Sequence, residues 1–185
     1  MLPWITPGVV TATLWKWLYS YDFGMLNHTL VSIGIVKEPV SWITSMDLSF
    51  PAVMLVQIWA TFPYAMLMLS AGLQTIPQQL YEAAEAEGAS PVQRVRFVTI
   101  PMLRDVISIC ILILTIWSLN GFATIWVITQ GGPAGSSQIL SLTIYERFRA
   151  FNISSASAIA VLQLFFSLVF AGLYINRSLG KETAR

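Results

Sequence analysis

Residue types that support covalent chemistry are scarce in this 185-residue chain. It has one cysteine, Cys110, and one histidine, His28, so neither a disulfide nor a multi-ligand zinc site can be assembled. Cys110 reads as a small buried apolar residue and His28 as a surface residue. No charged residue and no histidine falls in residues 48–81, 106–145 or 150–176, which removes the paired carboxylates, Ser/His couples and metal sets that an enzyme working inside these stretches would need. What the stretches do hold is hydrogen-bonding and aromatic side chains: Gln57, Tyr64, Thr115, Trp117, Ser118, Asn120 and Gln163. Amides and hydroxyls bond the hydroxyls of a solute and rings cover its apolar faces, so these are candidate solute contacts. The same groups also fasten helix to helix.

The elements that must position them follow from composition. Hydrophobic residues make up 56% of the chain and charged residues only 10%, against about 25% charged in soluble domains. The 10 Lys/Arg and 9 Asp/Glu are confined to the segments between the uncharged stretches, so the chain alternates between lipid and water. A crossing helix needs about 20 apolar residues. The pattern predicts an all-α, polytopic membrane helical bundle with four transmembrane helices, at about 2–19, 52–73, 106–129 and 152–176, the last stopped by Asn176-Arg177. Lys16, between Trp15 and Trp17, is placed to snorkel from an interfacial belt that includes Tyr19. Pro63 predicts a kink in the second span, and Gly131 to Ser137 breaks the third stretch. The spacing of Ala156, Ala158, Ala160 and Gly172 predicts close packing of the last span.

Six basic residues (Arg94, Arg96, Arg104, Arg177, Lys181, Arg185) lie on one side of the predicted crossings and three (Lys37, Arg147, Arg149) on the other. The excess puts the 82–105 connection and the 177–185 tail in the cytoplasm. The basic residues are scattered and acid-matched, so no nucleic-acid footprint is present. The N-terminus does not read as a removable signal peptide.

The connection at 77–101 is longer than a simple loop requires. Pro77 suits a first helical position, Leu80, Ala83, Ala84 and Glu87 share one helical face, and Gly88 suits a left-handed terminus. Ser90, Pro91 and Gln93 then form a capping-box pattern, and Pro101 predicts the end or a bend of the second helix. The small residues Ala83, Ala84, Ala86, Gly88 and Ala89 give this helix-Gly-helix segment the form of a docking knob. A merely solvated amphipathic helix is the plainer alternative, since Ala and Glu are strong helix formers.

Glu82-Ala83-Ala84, Gly88 six residues after Glu82, and Val98 with Ile100-Pro101 resemble the EAA motif of binding-protein-dependent ABC importer permeases, which ends in Ile-x-Leu-Pro. Asn120-x-Phe122, Thr129-Gln130-Gly131-Gly132-Pro133, Tyr145, Pro3-Trp4 and Leu73-Gln74-x-Ile76-Pro77 are similar to the carbohydrate branch of that family, of the maltose-transporter type. The likeness covers about 3–176. Glu87 stands where the family often has Asp, and Ala123 where it often has an acid. Family members usually have six spans, so the resemblance implies that 1–176 is a transmembrane domain lacking the first two.

The resemblance further implies a second permease subunit, ATP-binding subunits and an external solute-binding protein as partners. ATP would be used by the partner, since the chain has no Gly-x-x-x-x-Gly-Lys-Ser/Thr phosphate loop and is expected to be neither an enzyme nor a cofactor binder. Glu82, Ala83, Ala84, Gly88, Ala89 and Pro101 would couple to the ATPase, with Glu82 the polar contact and Gly88 allowing close approach. A sugar is the implied solute, with Asn120 the foremost contact and Gln57, Tyr64, Trp117 and Gln163 behind it. A polyol, glycerol phosphate or polyamine, or a truncated scaffold that moves nothing, are the alternatives.

Overall fold

The computed structural model describes residues 2–182, which form helices joined by turns with no strand among them. In chain order the helices are α1 (Leu2–Ile5), α2 (Gly8–Leu18), α3 (Met25–Ser32), α4 (Ser49–Gln74), α5 (Gln78–Ala86), α6 (Pro91–Arg94), a π-helical turn (Val95–Thr99), α7 (Ile100–Met102), α8 (Arg104–Leu119), α9 (Phe122–Ile128), α10 (Leu140–Arg149) and α11 (Ile153–Glu182).

Two of these are long and apolar enough on their own to cross a membrane: α4, and the Ile153–Gly172 part of α11. The other two expected spans are divided. The 2–19 stretch breaks at Thr6-Pro7, because a proline disfavours helical backbone in the residue before it. The 11 residues of α2 then reach about 17 Å, roughly half the hydrocarbon thickness. The 106–129 stretch breaks at Asn120-Gly121 between α8 and α9. α4 runs uninterrupted through a buried Pro63. α11 continues past Asn176-Arg177 to Glu182, because charges end an apolar stretch without ending a helix. Of the predicted tail, residues 183–185, with Arg185, lie outside the described residues.

Pro101 bends its helix as expected, through a defined route. It follows closely on a π turn at Val95–Thr99, a widening that suits a proline, whose ring would clash with the carbonyl four residues back in a regular α-helix. The axis then turns by 68° between Pro91–Met102 and α8.

The core lies at one end of the bundle, where Ala12 and Tyr19 of α2, Ala52, Val53 and Val56 of α4, Ile125 and Ile128 of α9 and Leu142 of α10 are buried together. Trp15, Trp42, Phe122, Trp126 and Tyr145 pack around them. At the other end α4 meets α8 at Gly72, where a Cβ would lie 2.8 Å from Leu103 Cδ2 and 3.1 Å from Val106 Cγ2. Along α11, Val161, Leu162, Leu164, Phe165, Phe166 and Leu168 are all exposed. Such a face suits lipid tails or a neighbouring subunit.

Lys16 is exposed and tied to a neighbouring helix. Its Nζ donates to the Val127 carbonyl at 3.0 Å, in the last turn of α9, where a cation offsets the negative end of the helix dipole.

Candidate functional site

The 77–101 segment folds into a compact corner. Pro77 is extended (φ −60°, ψ 130°) and precedes α5 rather than opening it. At the far end Gly88 takes φ +82°, and its N–H bonds the Glu85 carbonyl at 2.9 Å while the Ala89 N–H reaches the Ala84 carbonyl at 2.9 Å. This pair of bonds is the Schellman terminus that glycine makes accessible. α6 begins in a complete capping box, the Ser90 N–H donating to Gln93 Oε1 at 2.7 Å and the Gln93 N–H to Ser90 Oγ at 3.4 Å. Two further contacts, not foreseen from the sequence, lock the corner: Arg94 Nη1 to Glu85 Oε2 at 3.0 Å and Tyr81 Oη to Thr99 Oγ1 at 3.0 Å.

The expected coupling residues sit on the outside of this corner. Glu82, Ala83, Gly88 and Pro101 are exposed, and Ala84 and Ala89 are half-buried. A Cβ on Gly88 would meet nothing within 4 Å. A hollow of about 380 Å³ lies beside it, walled by Ala84, Glu87, Gln93, Arg94 and Phe97. Phe97 is 68% exposed and Val92 76%, so the corner presents apolar surface as well as bare backbone.

The candidate solute contacts are divided among four places. Gln57 and Thr61 of α4 line an open groove of about 300 Å³ together with Ser118 of α8, Gly121 at the break, and Thr124 and Ile125 of α9. Tyr64 and Trp117 face each other, ring centroids 4.7 Å apart, with Trp4 6.2 Å from Tyr64. Asn120 and Gln163 engage each other: Gln163 Nε2 donates to Asn120 Oδ1 and to the Leu119 carbonyl, each at 3.1 Å, and Asn120 Nδ2 donates to the Ile116 carbonyl at 2.8 Å. Thr115 donates to the Ile111 carbonyl and lies in a separate hollow beside Arg104 and Phe170.

Ile139, at the end of the 129–139 turn, also lines the groove. Gln130, Gly131, Ala134 and Gly135 all have positive φ, and a Cβ on Gly131 would run into the Gln138 side chain and lie 2.7 Å from Leu142 Cδ2. Ser137 Oγ donates to the Gly132 carbonyl at 2.9 Å, and Ser136 Oγ lies 2.7 Å from Ser49 Oγ at the start of α4. Asn27, assigned no role from the sequence, is 2% exposed. Its side chain bonds Val40 through both N–H and carbonyl at 3.0 Å and accepts from Trp42 Nε1 at 2.9 Å, which fixes the long loop between α3 and α4.

A corner of two short helices stands exposed beside a bundle of apolar helices long enough to cross a membrane. Residues 1–181 match the family model described as "Binding-protein-dependent transport system inner membrane component", and the chain belongs to that family. A probable ABC transporter permease protein of Brucella suis biovar 1 is 39% identical over 98% of the chain and 63% of its own length. The trehalose/maltose transport system permease protein MalF of Thermococcus litoralis is 35% identical over 95% of the chain and 59% of its own length. The chain thus spans about three fifths of the curated relatives it matches. Among solved structures, a chain of a bacterial alginate ABC transporter, in complex with an alginate pentasaccharide-bound periplasmic protein, shares the fold with a TM-score of 0.83 at 23% identity, over 96% of this chain and 62% of that one.

Proposed function

We propose that this chain is a permease subunit of an ATP-driven sugar importer, multi-pass in the plasma membrane, with the 77–101 segment and the C-terminus in the cytoplasm. The observation that carries the reading is Gly88: a positive-φ glycine with open space over it, held between two helices pinned by Glu85 and Arg94. In this reading α5 and α6 enter a cleft on a separate ATP-binding subunit, Glu82 meets a polar group there, and the missing side chain at Gly88 lets the surfaces touch. The partner hydrolyses ATP; this chain holds no cofactor.

Movement of the ATP-binding subunits would push the corner as one body. The 68° turn between Pro91–Met102 and α8 leads that push into α8, whose far end walls the groove of Gln57 and Ser118. A rigid-body switch between inward-open and outward-open states follows. A second permease subunit would complete the pathway, and an external binding protein would deliver solute. The groove's mix of amide, hydroxyl and apolar lining suits a sugar, and the matched relatives include a protein named for trehalose/maltose transport.

The test is to express the chain with its neighbouring permease and ATPase and purify it from membranes. The ATPase co-elutes, and Gly88→Trp abolishes that association. Co-elution indifferent to Gly88→Trp rejects the docking role. Sugar uptake into vesicles then separates a transporter from a scaffold.

A further inference from the structure

We propose that the hollow at the C-terminal end of α2 binds the phosphodiester headgroup of one anionic phospholipid. The open hollow measures about 380 Å³, and Lys16, Trp17, Ser20, Phe23, Ser41 and Thr44 are among its lining. Its walls are fixed. Tyr19 Oη donates to the Ala52 carbonyl at 3.0 Å, the Tyr19 and Trp42 rings are 5.8 Å apart, and Asn27 ties Trp42 and Val40 together.

The polar groups inside are donors that remain available. Lys16 spends one N–H on the Val127 carbonyl, which holds the ammonium in place and leaves two protons free. The hydroxyls of Ser20, Ser41 and Thr44 make no side-chain hydrogen bond among the described residues. One fixed cation with three free hydroxyls fits phosphate oxygens, which accept several charge-assisted bonds.

The surroundings select an amphiphile over a free anion. Trp17 and Phe23 stand at the mouth with ring centroids 6.3 Å apart, and they are 69% and 68% exposed. From there an exposed apolar stripe of Leu14, Val10 and Val9 runs down α2. Acyl chains laid on that stripe would bring their headgroup to the hollow, at the depth where Trp, Tyr and Lys collect in membrane proteins.

The full chain, purified in a neutral detergent, is mixed with equal amounts of phosphatidylglycerol and phosphatidylcholine of the same acyl chains, and bound lipid is counted by native mass spectrometry. One phosphatidylglycerol per chain is retained in preference to phosphatidylcholine. Lys16→Gln lowers that preference about five-fold, one lysine's attraction for an anionic headgroup, and Lys16→Arg keeps it. Because Lys16→Gln also uncaps α9, the double variant Ser41→Ala/Thr44→Val supplies an independent reading and lowers retention with Lys16 intact. Wild-type retention in both Lys16→Gln and Ser41→Ala/Thr44→Val overturns the site, as does equal retention of the two lipids by the unaltered chain. Displacement of the lipid by free glycerol phosphate at the same concentration assigns the hollow to a soluble anion and overturns the lipid. The readout involves neither ATPase nor uptake, so either result leaves the importer reading where it stood.

Discussion

Gln163 Nε2 on α11 lies 3.1 Å from Asn120 Oδ1 and 3.1 Å from the Leu119 carbonyl, so one side chain holds the end of α8 where the chain breaks before α9. Gln163 is 8% exposed, and in a continuous helix the Leu119 carbonyl would accept from the backbone four residues on. Gln163→Leu removes both donors and leaves that carbonyl without its bond. It also removes the buried Oε1, which has no partner among the described residues, and this offsets part of the loss. The expected cost is about 1 kcal/mol, read as a lower thermal midpoint in detergent; an unchanged midpoint would show that the clamp contributes nothing.

Gly72 sets how closely α4 approaches α8. A Cβ there would sit 2.8 Å from Leu103 Cδ2 and 3.1 Å from Val106 Cγ2, tighter than the pair can absorb without repacking. Gly72→Val is expected to destabilise the chain by about 1–3 kcal/mol. Adding Leu103→Ala should recover part of it, because the two sites share one contact. Strict additivity in that double-mutant cycle would mean that the two residues do not meet.

The features legible in the sequence are those whose cause is local. Gly88 in the left-handed region, the Ser90-Pro91-Gln93 capping box and the turn at Gly131–Ser137 each depend on a few neighbouring residues, and each is found. Hydropathy located apolar stretches but not their continuity. Residues 106–129 are uncharged throughout, yet the chain leaves the helix at Asn120, where the Asn120 amide competes for the Ile116 carbonyl and Gln163 takes that of Leu119. Gln163 is 43 residues from Asn120 in sequence, so no local pattern announces the break. The same reason hides the Lys16 contact to Val127, the Asn27 hub and the approach at Gly72. The candidate solute residues were chosen by type alone, and type does not say which way an amide faces: Gln57 lines the groove, whereas Asn120 turns to Gln163.

That difference gives a direct test of the groove. Gln57 is half-buried beside Ser118 and Gly121 and makes no side-chain hydrogen bond among the described residues, so its amide is free for a solute. Gln57→Leu keeps the volume and removes the hydrogen bond, worth about 1.4 kcal/mol and so about ten-fold in apparent affinity. The KM for uptake should rise with little change in thermal midpoint. Gln163→Leu should do the reverse, lowering the midpoint with a smaller effect on KM. Equal KM values for Gln57→Leu and the parent chain would remove the groove from the solute pathway.

Gly88 separates backbone strain from bulk. At φ +82° any L side chain is strained by about 1–2 kcal/mol, and Gly88→Ala and Gly88→Trp share that term. The site is open, with no atom within 4 Å of the added Cβ, so neither variant clashes inside this chain. If the corner were only a solvated connection, the two variants would behave alike in every assay. If another surface closes over Gly88, Ala weakens ATPase association modestly through strain, whereas Trp abolishes it by standing about one ring's width between the surfaces. Co-elution with the ATPase, measured against a thermal midpoint common to both variants, decides between the two; equal association of Ala and Trp would place the contact elsewhere on the chain.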